Sequence, residues 1–315
     1  RYRGVMSLDL PLVRGHVDPA VALRESVAPA ALVRSGEADV IVVDPSGFVL
    51  LDEAEAPSGA PVVRRMAGDE ATRALEGATA SFIGVVGGRS VVAIETSRDE
   101  AWGRWEHLRA VGWQLDGDDA ALALTALALA GWHANYRYCP RCGAPVQLVS
   151  GGWAARCETC DRLEYPRQDP AVIVLVQDHD GRVLLAHNAL WRPGFVSIIA
   201  GYVEAGESPD VTVAREVAEE VGVEIGTPTY VATQPWPFGR SQMMGYRART
   251  TMPRPTPQAD GVEIEWARFY SRNELTRALE SGEISAPGRA SIAYALLREW
   301  YGGDLPGGPD GVGRN

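Results

Sequence analysis

Three glutamates, Glu216, Glu219 and Glu220, lie within five consecutive residues in a segment with helical periodicity. Positions i, i+3 and i+4 share one face of a helix, so the three carboxylates converge on a patch about one turn long. Like charges in this arrangement repel one another, whereas a hard divalent cation such as Mg²⁺ or Mn²⁺ takes oxygen ligands. The row is therefore a candidate metal site. An ordinary solvent-exposed acidic face is the alternative when the helix is considered alone.

The helix that must carry these carboxylates has recognisable ends. Ser208 is a candidate N-cap followed by Pro209 at the first helical position, and Gly222 is typical of a helix C-terminus. Apolar residues at three- and four-residue spacing predict one buried stripe, namely Val211, Ala214, Val217, Ala218 and Val221. The polar face then carries Arg215 and the three glutamates.

Residues 201–223 resemble the Nudix box, G-x5-E-x7-R-E-U-x-E-E-x-G-U, in which U is aliphatic. Each position defined by the motif is matched, by Gly201, Glu207, Arg215, Glu216, Val217, Glu219, Glu220, Gly222 and Val223. The resemblance implies an enzyme that hydrolyses a nucleoside diphosphate linked to another group. Metal ions on the phosphate oxygens neutralise developing charge and lower the pKa of a bound water, so no covalent nucleophile is required.

The same resemblance assigns roles to individual residues. Either Glu219 or Glu220 positions or deprotonates the attacking water. The implied ligands of Mg²⁺ or Mn²⁺ and the residues that orient them are Glu216, Glu219, Glu220 and the carbonyl of Ala200, with Arg215 and Glu207 holding the acidic row.

All four cysteines fall in two knuckles, Cys139-Pro-Arg-Cys142 and Cys157-Glu-Thr-Cys160. This spacing is typical of a zinc ribbon, in which four thiolates hold one Zn²⁺ tetrahedrally. A closed four-thiolate site leaves no position for water, so the predicted zinc is structural, one per chain. Two disulfides are the alternative, which is weak because no secretory leader is evident.

Composition narrows the class of protein. The chain has 315 residues, 46% of them hydrophobic, which is enough for two or three globular domains. A net charge of −11 argues against non-specific binding to nucleic acid or anionic membranes, although a basic patch near the ribbon remains an option. Without a long apolar run or a leader, we expect a cytoplasmic protein.

The order of strand-like and helical runs predicts an α/β protein of three domains. Residues 1–130 form a smaller α+β N-terminal domain, with strands at 40–43 and 49–51, a hairpin at 82–95 and a helix at 118–130. Residues 131–168 form the zinc ribbon. Residues 169–301 form the Nudix catalytic domain, an α/β/α sandwich with a mixed sheet. Residues 302–315, rich in glycine and proline, are predicted to be a flexible tail.

A second motif follows the box at residues 233–241, Thr-Gln-Pro-Trp-Pro-Phe-Gly-Arg-Ser. It resembles the S-Q-P-W-P-F-P-x-S signature of the NADH pyrophosphatase branch of the Nudix family, with Thr233 in place of serine and Gly239 in place of the third proline. The resemblance implies hydrolysis of NADH or NAD⁺ to nicotinamide mononucleotide and AMP, and removal of the NAD cap from RNA 5′ ends. The implied substrate loop is Gln234, Pro235, Trp236, Pro237, Phe238, Gly239, Arg240 and Ser241. A rigid loop whose rings only fill a core is the alternative.

Further positions acquire roles by the same match. Glu263 aligns with an additional metal-binding glutamate, and Ala293 with a substrate contact on the last helix. Tyr165 and Tyr202 are candidates to stack on nicotinamide or adenine, with partial burial in a core as the alternative. Arg109 is a weaker candidate for a substrate phosphate, with a surface arginine as the alternative. Members of the branch are homodimers, so the resemblance also implies a homodimer.

Two other functions stay open at this point. The first is a Nudix hydrolase for another diphosphate such as ADP-ribose. The second is a non-catalytic zinc-ribbon protein that binds capped RNA, which the intact acidic row argues against because binding alone does not need it.

Overall fold

A computed structural model of the chain describes residues 8–307, so the end of the predicted tail, 308–315, lies outside the described residues. The described chain forms two compact units. The N-terminal unit comprises Pro11–Gln168 together with the short segment Trp236–Arg240. The C-terminal unit comprises Asp169–Pro235 with residues 8–10 and 241–307.

The N-terminal unit contains a five-stranded sheet and the three short strands of the ribbon. Its helices and strands are α1 (Pro29–Ser35), β1 (Ala38–Asp44), β2 (Phe48–Leu51), α2 (Gly68–Ala74), β3 (Thr79–Val86), β4 (Arg89–Glu95), β5 (Arg104–His107), α3 (Leu108–Val111), α4 (Gly117–Asn135), β6 (Val146–Val149), β7 (Ala154–Cys157) and β8 (Leu163–Glu164). The sheet order is β3-β4-β1-β2-β5, with β1 and β4 parallel and the other pairs antiparallel. The predicted strands, hairpin and long helix are all present.

The central strands of this sheet are buried because both faces are covered. Val40, Val42 and Ile94 are at most 1% exposed and belong to a core with residues of α1 and α2. A near-continuous valine and isoleucine run is typical of a strand buried on both faces. The turn between β1 and β2 ends at Gly47, whose φ of 108° lies in the left-handed region that favours glycine.

The C-terminal unit is a mixed sheet with helices. Its helices and strands are β9 (Asp169–Gln177), β10 (Val183–Asn188), β11 (Ile199–Tyr202), α5 (Pro209–Val221), β12 (Thr229–Trp236), β13 (Ser241–Arg249), β14 (Ile264–Tyr270), α6 (Arg272–Glu280) and α7 (Ile292–Tyr301). The order is β12-β13-β9-β10-β14, and β11 pairs with β9 outside this path. Strands β9 and β13 are parallel, whereas β9 pairs antiparallel with β10 and β11.

The sheet of this unit is covered on both faces, as the predicted α/β/α sandwich requires. Val174 and Tyr246 are paired across β9 and β13 and share a core with residues of α5. The next pair, Ile173 and Gly245, points to the opposite face because side chains alternate along a strand. A Cβ on Gly245 would lie 2.8 Å from Cδ1 of Ile292, at the start of α7.

Helix α5 has the predicted ends but not the predicted stripe. Gly222 adopts the left-handed C-cap conformation, with φ 63°. Ser208 occupies the N-cap position, but its side chain makes no capping hydrogen bond, contrary to the prediction. Val211, Ala214 and Ala218 are exposed, so the predicted stripe is wrong at these three positions. The buried residues are Thr212, Val213, Val217, Glu220 and Val221.

The reason for this error is that two overlapping stripes satisfy helical spacing, and both contain Val217 and Val221. Packing against the sheet selects the stripe with Val213, because a valine buries more apolar surface than the alanines of the alternative. The consequence is functional. Glu220 lies on the buried edge of the helix, whereas the sequence placed it with the exposed polar residues.

Candidate active site

The guanidinium of Arg215 connects three of the glutamates of the box. It donates from Nε and Nη2 to the two carboxylate oxygens of Glu207, each at 2.9 Å. Its Nη1 lies 2.9 Å from Oε1 of Glu216 and 2.9 Å from Oε2 of Glu219. Such two-point contacts between arginine and carboxylate fix geometry as well as charge. Arg215 therefore bridges Glu207, Glu216 and Glu219.

Glu207 is itself held from three sides. The Thr212 hydroxyl donates to Oε2 at 2.7 Å, and the backbone N–H of Glu204 donates to the same oxygen at 3.2 Å. The contacts from Arg215 and then Thr212 lower the pKa of Glu207 to about 2. Glu207 is therefore ionised at neutral pH and serves as the anchor of Arg215. Thr212 was missed from the sequence, because no local signal links a threonine to a carboxylate five residues earlier.

The carboxyl group of Glu216 lies against the backbone of β11. A Cβ on Gly201 would come within 2.0 Å of its Cδ and 2.1 Å of its Oε1. Glycine at position 201 therefore makes room for the Glu216 carboxylate beside the predicted backbone ligand, the carbonyl of Ala200. Burial raises the pKa of Glu216, and the Arg215 guanidinium opposes the rise.

Glu220 is the most buried of the three box glutamates on α5, at 5% exposure. In the described part of the chain no hydrogen-bond donor reaches its carboxylate. Burial, followed by the charges of Glu263, Glu216 and Asp260, raises the pKa of Glu220 to about 8. A buried, unpaired acid beside other acids is unfavourable for the apo protein and is typical of a position that a cation completes.

Glu263 enters this set through the loop before β14. Asp260 accepts hydrogen bonds from the backbone N–H of Val262, Glu263 and Ile264 at 2.8 to 3.1 Å, which fixes the turn. The Asp260 N–H in turn donates to the carbonyl of Glu220 at 3.1 Å. These bonds connect the Glu263 loop to the end of α5. Asp260 was not assigned a role from the sequence, although an Asp-Gly pair is a turn signal that could have indicated it.

The candidate metal ligands around Glu220 fit a hard divalent cation, because all of them are carboxylate or carbonyl oxygens. Two observations support this fit, namely the unpaired Glu220 carboxylate and the space that Gly201 leaves for Glu216. Groups of three or more histidine, cysteine, aspartate or glutamate side chains can hold a metal ion when their ligand atoms lie close together. Among the described residues, only the four cysteines form such a group, with their sulfurs within 4.8 Å of one another. The glutamate carboxylates converge less tightly than the cysteines, although Glu216 and Glu219 both contact Nη1 of Arg215.

The aromatic loop, defined as Trp236–Arg240, belongs to the N-terminal unit. Its rings form an edge-to-face pair, with the centroids of Trp236 and Phe238 4.9 Å apart. Gly239 has a φ of 91° and Arg240 a φ of 63°. The Arg240 N–H donates to the carbonyl of Pro237 at 3.2 Å and closes the turn. Proline cannot adopt a positive φ, so Gly239 permits a turn that the proline of the family signature would not.

The other residues predicted for substrate binding are placed differently. Gln234 is fully buried and donates its side-chain amide to the carbonyl of Ala290 at 2.9 Å, and Ala293 is 4% exposed. Pro235 and Pro237 are half-buried. Ser241 is buried, and its hydroxyl lies 3.2 Å from the hydroxyl of Tyr202.

The two candidate stacking tyrosines are free of the core. Tyr165 is 59% exposed and Tyr202 is 54% exposed, so the alternative of core burial does not hold for either ring. Arg109 is half-buried, and its Cζ lies 4.4 Å from the ring centroid of Phe238. Arg109 is therefore not the surface arginine that was the alternative to a role in binding a substrate phosphate.

The zinc ribbon brings the four cysteines together. Sulfur–sulfur distances are 3.4 Å for Cys142 and Cys157 and 3.7 Å for Cys139 and Cys160, too long for disulfides. The backbone N–H of Cys160 donates to the Cys157 sulfur at 3.4 Å and is the main cause that lowers the pKa of Cys157 to about 6. Four convergent sulfurs, one of them poised as a thiolate, fit a tetrahedral Zn²⁺.

Comparison with known proteins agrees with this architecture. The chain matches the NUDIX domain over residues 167–292, the NADH pyrophosphatase zinc ribbon domain over 134–165 and the NADH pyrophosphatase-like rudimentary NUDIX domain over 32–132. The third match was not anticipated, because the N-terminal domain lacks the box from which the sequence was interpreted.

Curated relatives include bacterial and mammalian proteins. NAD-capped RNA hydrolase NudC of Stutzerimonas stutzeri is 39% identical over 204 residues, 65% of this chain and 70% of the relative. The protein of the same name from Mycobacterium bovis (strain BCG / Pasteur 1173P2) is 39% identical over 201 residues, 61% of this chain. The match spans only 64% of the length of the M. bovis relative. NAD(P)H pyrophosphatase NUDT13, mitochondrial, of Mus musculus is 36% identical over 213 residues, 64% of this chain and 60% of the relative.

These matches and the site geometry define the class of protein. The chain belongs to the Nudix family, in the branch that carries the NADH pyrophosphatase zinc ribbon. Within residues 8–307, every helix is too short or too polar to span a lipid bilayer.

Proposed function

We propose that the protein hydrolyses the pyrophosphate of NAD(H), with nicotinamide mononucleotide and AMP as products, and removes the NAD cap from RNA 5′ ends. The observation that carries the proposal is the buried, unpaired carboxyl group of Glu220 beside Glu216 and Glu263. Such a set has no evident structural role and suits metal-assisted chemistry on a diphosphate. The names of the relatives from S. stutzeri, M. bovis and mouse support the choice of substrate.

The proposed metal is Mg²⁺ or Mn²⁺. Its proposed ligands are the carbonyl of Ala200 and the carboxylates of Glu216, Glu219, Glu220 and Glu263. When bound, a divalent ion neutralises charge on the diphosphate oxygens and lowers the pKa of a water molecule.

The remaining steps fall to the chain itself. Arg215, fixed by Glu207, holds Glu216 and Glu219 in a defined orientation. A carboxylate oxygen of either Glu219 or Glu220 accepts the proton of the attacking water. Glu219 is the more accessible, since its side chain is 61% exposed. Glu220 is the more buried, and burial raises its pKa as long as no metal ion is bound.

Recognition of the dinucleotide is proposed for the predicted substrate residues. The rings of Trp236, Phe238, Tyr165 and Tyr202 offer surfaces on which nicotinamide or adenine can stack, a contact worth about 1 to 3 kcal/mol per base. Arg109 and Arg240 supply positive charge for phosphate. Gln234 and Ala293 would act by shaping the loop and the last helix, since both are buried.

Two further features complete the proposal. We propose one structural Zn²⁺ per chain at Cys139, Cys142, Cys157 and Cys160, and the cytoplasm as compartment, because this site needs reduced cysteines. We also propose a homodimer, as implied by the family. Exposed apolar side chains on the ribbon, Tyr138 and Leu163 among them, support a partner surface.

The test is a comparison of kcat/KM for NADH, NAD⁺, ADP-ribose and a short NAD-capped RNA, each with Mg²⁺ and with Mn²⁺. The proposal expects NADH or NAD-capped RNA to exceed ADP-ribose by at least tenfold, about 1.4 kcal/mol of transition-state discrimination. A preference for ADP-ribose would identify a hydrolase for another diphosphate. Binding of NAD-capped RNA without any turnover would identify a cap-binding protein.

A further inference from the structure

The aromatic loop packs on a specific pair of strands in the N-terminal unit. The ring centroids of Phe238 and His107 are 4.8 Å apart, with the rings tilted by 31°. His107 is the last residue of β5, and it pairs directly with Phe48 of β2 in the antiparallel ladder. The Phe48 and His107 rings meet edge to face, at 5.0 Å and 80°. His107 is therefore clamped between a sheet residue and the loop.

A cation completes the contact on the loop side. The guanidinium carbon of Arg109 lies 4.4 Å from the ring centroid of Phe238 and 5.5 Å from that of Trp236. Both distances are within the range in which arginine and an aromatic face attract each other. Arg109 and His107 are two residues apart, so one short segment at the junction of β5 and α3 contacts both rings of the loop.

Gly47, which lies beside the contact between His107 and Phe238, has no side chain. A Cβ on Gly47 would lie 2.9 Å from Cε1 of Phe238 and 2.5 Å from Nε2 of His107. Real Cβ atoms essentially never approach a neighbour that closely. The close contact between His107 and Phe238 therefore depends on glycine at position 47.

The orientation and charge of His107 are also fixed. Its Nδ1 accepts a hydrogen bond from the backbone N–H of Arg109 at 3.1 Å, which caps α3. Burial, followed by the charge of Arg109, lowers the pKa of His107 to about 4. The ring is therefore neutral at pH 7, and Arg109 supplies positive charge beside the loop.

We propose that His107 and Gly47 are positioning residues that hold Phe238, and through it the aromatic loop, in the conformation that binds the dinucleotide. The inference rests on the proposed function and assigns a role to the N-terminal domain, namely support of substrate binding.

Two variants separate the ring of His107 from its capping nitrogen. His107→Asn retains a side chain that caps helices well but removes the ring, whereas His107→Phe retains a ring and removes the acceptor. We expect His107→Asn to raise KM for NADH about three- to tenfold, the value of one aromatic pair, with kcat within about twofold of the wild type. We expect His107→Phe to keep the wild-type KM and to lower Tm.

Glycine variants supply the matched control. Gly47→Ala introduces the clash with His107 and Phe238. Gly88 also has a positive φ, 83° against 108° for Gly47, but no atom lies within 4 Å of the Cβ that Gly88→Ala would add. We expect only Gly47→Ala to raise KM. Equal effects of the two alanines, equal effects of the two His107 variants on KM, or an unchanged KM in His107→Asn would each overturn the inference.

Hydrogen–deuterium exchange of the peptide 234–241 gives a readout independent of turnover. We expect faster exchange in His107→Asn and Gly47→Ala than in the wild type, His107→Phe or Gly88→Ala. If the wild type does not hydrolyse NADH, the proposed function fails, and exchange alone then decides the positioning role. Unchanged exchange in His107→Asn would refute that role whether or not NADH is hydrolysed.

Discussion

Replacement of Gly201 by alanine tests how closely the acidic site is built. The new Cβ would lie 2.0 Å from Cδ of Glu216, and ordinary contact begins near 3.4 Å, so the carboxyl group must move by about 1.4 Å. The displaced atoms are at the end of a flexible side chain, so we expect the free energy of unfolding to fall by less than about 1 kcal/mol, below the usual cost of overpacking a core.

The effect on activity should be much larger than the effect on stability. Glu216 would leave its position 2.9 Å from Arg215 and beside Ala200. A misplacement of about 1 Å in a catalytic group can lower the rate about 100-fold, so we expect kcat/KM for NADH to fall by that factor or more. We also expect a higher Mg²⁺ concentration for half-maximal activity, because Glu216 is a proposed ligand.

The assay is steady-state hydrolysis of NADH across a Mg²⁺ titration, together with urea unfolding of each variant. Gly226→Ala is the matched control, since the only atom within 4 Å of its Cβ would be a carbonyl oxygen at 3.7 Å. The assigned position and role of Glu216 would be refuted if Gly201→Ala had a kcat/KM within threefold of the wild type and the same dependence on Mg²⁺ concentration. A large loss of stability would refute the argument that only the carboxyl group must move.

Three further predictions concern protons and metals. Burial and neighbouring acids raise the pKa of Glu220 to about 8, so below pH 8 a bound cation must displace the proton of this carboxyl group. The apparent affinity for Mg²⁺, measured by calorimetry, should therefore rise about tenfold per pH unit up to pH 8. Glu220→Gln should flatten this slope, and an equally steep slope in that variant would contradict the assignment. The pKa of His107 is about 4 in the folded chain against 6.5 unfolded, so the unfolded chain binds the proton first as pH falls. Stability should therefore decrease from pH 6.5 to 4 more in the wild type than in His107→Phe, as measured by urea unfolding, and parallel curves would argue against it. Removal of zinc with a strong chelator should release one Zn²⁺ per chain to a colorimetric dye and expose four titratable thiols; thiols already blocked as disulfides would contradict the zinc assignment.

The features that could be predicted from sequence are those encoded locally. The bounds of α5 follow from Pro209 and Gly222, and the cysteine pairs indicate a ribbon because two thiolates from each knuckle suffice for zinc. The positions of the box glutamates on one helix follow from their spacing alone. Each of these inferences needs only residues that are near one another in the sequence.

The features that could not be predicted depend on which distant segments meet. The predicted buried stripe of α5 is wrong at Val211, Ala214 and Ala218, because the sheet, and not helical spacing, selects the buried face. The elevated pKa of Glu220 depends first on burial and then on Glu263, whose backbone is held by the turn at Asp260. Contact between His107 and Phe238 joins residues far apart in the chain, and no local pattern marks it.

The most direct test of the central claim is the release of nicotinamide mononucleotide and AMP from NADH, measured by chromatography with Mg²⁺ or Mn²⁺ present. We expect equal amounts of the two products from the wild type, no release in EDTA, and a rate lower by about 100-fold or more for Glu220→Gln. A wild type that leaves NADH intact while cleaving ADP-ribose would contradict the proposed substrate. A Glu220→Gln variant with unchanged turnover would contradict the proposed site.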